Sequence, residues 1–363
     1  MFFNAQHIYI MAISKNGKKF IISTSIAAVF TAAVNIYSPF LAPYLIKNGF
    51  GKETIAFLFA VSPFILIFFS SIIGRLSDKL GRRKMVNYFL LFQIIAIALY
   101  IFIKNDGSFF LVSALILSTI GTNGYGIAVF RKIESKIEKN RGFITGIFQS
   151  VQSAGGFIGP IIGTFIVSVL PLNFVLKIPL AIFFIIFFIN NLPQANPDHQ
   201  PLDGKDFNFV KNIKKFWAVK ELRGIAFLGI AAHFSIPAQA VFIPIYITEG
   251  LGGGLRDVGI YSSVFGFFHF FQFFAGRICD KKRERGIKMI FYSLLLCAIM
   301  FIIIPFAGSV KILFLISAIS GLFSGFWNTS AWWYMATIGA KIKEIGSVIG
   351  SYASIATVGH LIS

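Results

Sequence analysis

Apolar stretches of about twenty residues recur along this chain, and short polar segments rich in lysine and arginine separate them. They fall at 20–46, 53–74, 85–104, 108–131, 142–169 and 173–192. After a polar, basic stretch from Pro193 to Lys220 they resume at 222–248, 257–277, 287–306, 310–338 and 346–363. About twenty apolar residues are what a helix needs to cross the hydrocarbon core of a bilayer. In lipid, a helix bonds every backbone group within its own segment. The pattern predicts an all-α, polytopic membrane helix bundle of two pseudo-symmetric six-helix halves, the second visible as five. Residues 1–192 form the first half, 193–220 a cytoplasmic linker and 221–363 the second half. The eleventh span reaches Ser363, so a 6+6 repeat would lack its twelfth helix.

Composition supports the pattern. The chain is 56% hydrophobic and 13% charged, with 45 phenylalanines and a mean hydropathy of +0.78. A soluble domain carries about a quarter charged residues. The net charge of +19 is strongly partitioned: 27 of the 33 Lys and Arg lie in alternate inter-span segments and at the start, and six lie on the other side. That bias places the amino terminus in the cytoplasm of a multi-pass protein of the cell membrane. The cations form no continuous groove, so nucleic acid is not expected as a partner. Lipid and a small solute are, with protons as a candidate coupling ion and a monomer as the working unit. The two cysteines, Cys279 and Cys297, show no metal-type spacing with histidine, so neither a disulfide nor a metal is expected. No phosphate-binding glycine loop or nucleophile–base grouping stands out, so neither a cofactor nor enzymatic activity is expected. The first nineteen residues lack the small-residue cleavage site of a signal peptide.

Between the second and third spans lies Gly74-Arg75-Leu76-Ser77-Asp78-Lys79-Leu80-Gly81-Arg82-Arg83-Lys84, read as a tight basic loop. A weaker copy, from Gly276 through Asp280 to Gly286, follows at an offset of 202. Gly142, Gly146 and Gly155 likewise recur as Gly346, Gly350 and Gly359, at an offset of 204. Hairpins recurring at half-chain spacing mark a duplicated membrane protein. Gly74 and Gly276 allow close helix approach. Asp78 and Asp280 are carboxylates beside helix ends, where a helix amino terminus favours negative charge.

With these motifs the chain resembles the Major Facilitator Superfamily, whose second-to-third loop reads G-x-L-A-D-R-x-G-R-K. Gly74, Leu76, Asp78, Gly81 and Arg82 match it outright. The resemblance implies alternating access, with Asp78 bridging the halves when the cytoplasmic side is closed and Arg131 as its partner. The expected latch comprises Gly74, Asp78, Gly81, Arg82, Arg131, Gly276 and Asp280. The run Gly155-Gly156-Phe157-Ile158-Gly159-Pro160-Ile161-Ile162-Gly163 puts glycines along one helix face and bends it at Pro160. It predicts helix packing through Gly155, Gly159, Pro160 and Gly163, and it resembles a signature of the family's antiporters, which points to export. Leu117 stands where those antiporters carry a mid-span arginine.

All fourteen carboxylates lie in loops or near span ends, so any proton would have to travel by histidine. Mid-span polar residues mark the expected solute site: Asn35, Tyr37, Asn123, Gln149, Gln152, His233, Gln239, Trp327 and Asn328. Helices 1, 4, 7 and 10 line the cavity in the family that the chain resembles. Amides and aromatics without a carboxylate suit a small neutral or amphipathic organic solute. The alternatives are an importer of a neutral solute such as a sugar, and a non-transporting membrane sensor or scaffold.

Overall fold

The computed structural model describes residues 15–80, 82–103, 108–134, 141–192, 209–342 and 344–362. Described side chains are fewer, and those of Gly74, Asp78, Arg82 and Arg131 lie outside them, as does residue Gly81 altogether. The first group of helices is α1 (Lys15–Lys47), α2 (Lys52–Leu80), α3 (Arg82–Phe102), α4 (Ser108–Glu134), α5 (Arg141–Val169) and α6 (Phe174–Asn191). A short helix, α7 (Phe209–Ala218), comes next. Then follow α8 (Lys220–Gly250), α9 (Leu255–Lys281), α10 (Arg283–Phe306) and α11 (Val310–Lys341). The last is α12 (Ile345–Ala356), which a further turn, Val358–Leu361, extends. Among the described residues nine helices are long and apolar enough to cross a membrane; α2 and α12 occupy the other two expected spans.

Three local features stand out, the first two as departures from the sequence reading. The basic motif is less of a loop than expected: α2 stays helical through Leu80, and α3 begins at Arg82. In the second copy α9 runs through Asp280 to Lys281, Lys282 alone is extended, and α10 begins at Arg283. Leaving the apolar stretch does not end a helix whose residues still favour one. Second, the expected linker ends in α7, which buries Asn212 and Phe216 and sets Phe209 against Phe68 of α2. Third, α8 is regular only as far as His233; beyond Phe234 it widens into two π-helical turns, Ala238–Phe242 and Tyr246–Gly250. Pro237 and Pro244 have no N–H to donate, and their rings crowd the preceding turn.

Tight turns set up the packing. At the end of α1 the Phe50 N–H donates to Leu45 O at 3.1 Å and the Gly49 N–H to Ile46 O at 2.9 Å. That closure needs a left-handed residue, and Gly49 has φ 89°. Gly252, at φ 65°, serves the corresponding turn between α8 and α9, 203 positions later. The repeat seen in the sequence is therefore also a repeat of backbone conformation.

Within the first group α1 lies along α5, α3 along α4, and α6 covers α1 and α3. The two groups meet mostly along two helix pairs, α5 with α9 and α2 with α12, and α1 also touches α8 and α9. Gly155, Gly159 and Gly163 of α5 all face α1, where a Cβ would collide with Ala28, Ala32 or Ile36 backbone, and Pro160 is buried beside them. Gly156, on the adjoining face of the same helix, meets Gly266 of α9. One continuous core runs through both groups, and Phe102, Phe165 and Phe306 on the outside are exposed, as lipid-facing residues are.

A methyl group on Gly266 would sit 2.7 Å from the Gly156 carbonyl, whereas one on Gly224 would meet nothing within 4 Å. Gly266→Ala is expected to destabilise the folded protein by roughly 1–3 kcal/mol through overpacking, and Gly224→Ala to be neutral or slightly stabilising. Thermal unfolding of the two variants in detergent checks the contrast.

Candidate functional site

A cavity of about 470 Å³ lies between the two groups at mid-height. Its polar lining comes from Thr31, Asn35 and Ser38 of α1, Thr122 of α4, Gln149, Gln152 and Ser153 of α5, Gln239 of α8, Ser262 and His269 of α9 and Asn328 of α11. Phe30, Tyr125, Tyr261 and Phe265 supply aromatic faces. No Asp, Glu, Lys or Arg is among the lining residues described.

A buried amide organises one wall. Gln272 of α9 is fully buried. Its Nε2 donates to Ser153 Oγ at 2.7 Å, and its Oε1 accepts from Thr329 Oγ1 at 3.0 Å and Asn328 Nδ2 at 3.3 Å. Trp332 Nε1 donates to Asn328 Oδ1 at 2.9 Å. One side chain thus ties α5, α9 and α11 together and orients Asn328. Opposite, Asn35 Nδ2 donates to Thr31 O at 2.8 Å.

Five of the nine residues expected at the solute site line this cavity: Asn35, Gln149, Gln152, Gln239 and Asn328. Four do not. Tyr37 is buried between α1, α3 and α4, where its hydroxyl lies 3.1 Å from Ser118 Oγ and accepts from Gln93 Nε2 at 2.7 Å. Asn123 is exposed and donates to Thr119 O at 2.9 Å. His233 and Trp327 line a second cavity, of about 680 Å³, between α8, α9, α10 and α11. The two cavities share Ile236, Gln239, Phe265, His269 and Asn328. Ser153, Thr31 and Ser262 were missed because a helical hydroxyl can satisfy itself on its own backbone, as Thr31 does on Ala27 O at 2.9 Å, and so costs little among apolar neighbours.

The basic face carries the second set of contacts. Asp280 Oδ1 accepts from the Gly142 N–H at 2.9 Å and Oδ2 from the Phe143 N–H at 2.7 Å. Both are unpaired amides in the first turn of α5, so one carboxylate caps a helix of the other group. The contact closes because Gly142 and Gly276 meet backbone to backbone. Arg277 lies 4.7 Å over the Phe143 ring. Of the first copy, Arg83 is described: it donates to Asn190 O at 2.8 Å and to Leu192 O at 2.5 Å, holding the carboxyl end of α6. Gly74, Asp78, Gly81, Arg82 and Arg131, expected beside it in the latch, lie outside the described side chains. On the opposite face Lys52 pairs with Glu249, both well exposed.

An all-helical bundle whose two groups enclose an uncharged polar cavity is a multi-pass membrane transporter fold. The model of the Major Facilitator Superfamily matches residues 24–363, and the chain belongs to that family. It is 28% identical over 171 residues to YhjO, an uncharacterised MFS-type transporter of Bacillus subtilis, covering 46% of this chain and 42% of that one. It is 31% identical over 110 residues to NarT, a probable nitrate transporter of Staphylococcus carnosus, covering 30% and 28%. The matched stretches thus span less than half of either relative. The fold is similar to the crystal structure of the human organic anion transporter MFSD10 (TETRAN), with a TM-score of 0.68 at 13% identity over 94% of this chain and 90% of that one.

Cys279 is buried beside Asp280, with its thiol 3.4 Å from Ser330 Oγ. Losing a capping carboxylate costs about 1 kcal/mol, so Asp280→Ala is expected to open this contact more often and to speed maleimide labelling of Cys279 about five-fold. Asp280→Asn, which keeps one acceptor, should give a smaller rise. Labelling read by peptide mass checks both, and an unchanged rate would mean that the cap does not hold the face shut.

Proposed function

We propose that this protein is a secondary-active transporter that moves a small neutral or amphipathic organic solute by alternating access. The observation that carries this reading is the central cavity: convergent amides, hydroxyls and aromatic rings from both groups, with no charged side chain among the lining residues described. Such a lining fixes the orientation of a solute by hydrogen bonds and leaves no counter-ion for a charged one. Nitrate, the cargo in the name of one relative, and the organic anions in the name of the structural neighbour would each want a cation there.

In this reading residues 1–192 and 221–363 rock against each other about the segment 193–220, in a cell membrane with the amino terminus in the cytoplasm. Asp280 on the first turn of α5 supports a latch on the basic face, and Asp78, its repeat counterpart, takes the same role at α12. Export is proposed on the resemblance of the α5 glycine run to that of antiporters. The packing of those glycines against α1 gives them a structural task in either direction of transport. No carboxylate lines the cavity, so proton coupling, where it occurs, runs through histidine.

Counterflow in proteoliposomes tests the reading, with a neutral amphipathic dye, a neutral sugar and nitrate offered side by side. The dye is expected to exchange, and Asn35→Ala, Gln152→Ala and Gln239→Ala each to weaken its apparent affinity about 2- to 10-fold, the worth of one net hydrogen bond. Exchange of the sugar alone would favour the importer. Exchange of nitrate would overturn the uncharged-cargo assignment, and no exchange by a folded protein would favour the sensor or scaffold.

A further inference from the structure

The amide side chains inside the spans fall into two sets. Asn35, Gln93, Asn123, Gln272 and Asn328 each bond to another group of the protein. Gln149, Gln152 and Gln239 line the central cavity, and among the described residues their side chains bond to nothing. Their amide nitrogens and oxygens keep accessible surface, so these groups are offered to the cavity. Gln149 and Gln152, three residues apart, share one face of α5, and Gln239 comes from α8 in the other group. A polar group without a partner inside a membrane protein is costly, so three uncommitted amides around one space call for a molecule that bonds to them. Phe265 of α9, partly exposed, and Phe30 of α1, stacked on Tyr125 with centroids 3.8 Å apart, add aromatic faces from the two groups.

We propose that the cargo of this cavity is a neutral, flat ring with a lactam edge, an N–H and a C=O side by side, held by glutamine amides of α5 and α8. A glutamine amide presents a donor and an acceptor along one edge, and a lactam edge meets both at once. The ring keeps its amide cis, so the N–H and the C=O point the same way. An open-chain secondary amide is trans and turns one of the two away. A lone hydroxyl engages half of a glutamine amide and leaves the other half to water. Aromatic faces suit the flat sides of such a ring, and no charged side chain among the described lining residues asks for a charged one. A volume of about 470 Å³ is in the range of small-molecule sites. The inference rests on the transport reading in calling the bound molecule a cargo, but the binding itself requires no flux.

Oxindole, a flat neutral lactam, is the probe. The full chain in nanodiscs is titrated with it by saturation-transfer NMR, with empty nanodiscs as the blank, and saturable binding is expected. 1-Methyloxindole, which has no N–H to give, and acetanilide, whose N–H and C=O point apart, should each bind about 2- to 10-fold more weakly. Gln152→Met and Gln239→Met keep an unbranched side chain and drop the amide. Each should weaken oxindole about 2- to 10-fold and bring its preference over 1-methyloxindole towards one, a loss of selectivity that a loosened fold alone would not give. The ligand series needs no variant, so it decides the matter even where a variant does not fold. Equal affinity for oxindole, its methyl derivative and acetanilide would overturn the lactam edge, and so would binding that does not saturate. Exchange of the neutral dye by the same preparation would then leave transport standing without this cargo class. Saturable, N–H-dependent binding by a folded protein that exchanges no solute would instead keep the lactam site and sink the transport reading.

Discussion

The interior of a bilayer offers no water to bond a polar group, and this constraint shapes the whole structure. The backbone meets it by being helical. The side chains have to meet it by finding each other, and Gln272 is the clearest case: buried completely, it spends its amide on Ser153 of α5 and on Asn328 and Thr329 of α11. The same pressure assembles Tyr37, Gln93, Ser118 and Thr122 between α1, α3 and α4. The polar residues of the spans thus serve in two ways. Some close bonds between helices, some face a cavity, and Thr122, Ser153 and Asn328 do both.

These overlapping roles explain how far the sequence could be read. Span lengths, the repeat and the family followed from long apolar stretches and from fixed glycine and aspartate positions, which need no knowledge of helix rotation. Choosing the cavity residues does need it. Successive residues of a helix stand about 100° apart, so Thr122 faces the central cavity while Asn123 is exposed. Asn35 faces it, and Tyr37, two residues on and about 200° round, lies in the opposite wall. Asn328 borders both cavities and its neighbour Trp327 only the outer one. A span that is apolar on every side carries no periodic signal to set that angle. α7 was hidden for a different reason: its lysines gave it the composition of a linker, although Phe209, Phe216 and Trp217 mark an amphipathic helix.

The contact faces of α5 divide labour in the same angular way. Gly155, Gly159 and Gly163 fasten it to α1 in its own group, and Gly142 and Gly146, together with Gly266 of α9 against the Gly156 backbone, bring it against α9 in the other. A helix built this way is fixed to one group by glycines on one face and touches the other group through glycines on another. At its basic end the face turned to α9 meets Asp280, whose two oxygens take two adjacent amides. Those bonds share one carboxylate and one helix end, so they make and break together.

The wide turns of α8 bear on how Gln239 is presented. A π turn holds one residue more than the regular winding on either side of it, and Gln239 sits inside the turn Ala238–Phe242. Were that surplus residue passed along the helix by one turn, as a ruck travels along a carpet, Gln239 would swing by about 100° and an alanine, Ala238 or Ala240, would take its place at the cavity wall. The helix ends, held by the turn at Gly252 and by the packing of α7, would stay where they are. A hydrogen-bonding wall could thus become a greasy one without any rigid body changing position.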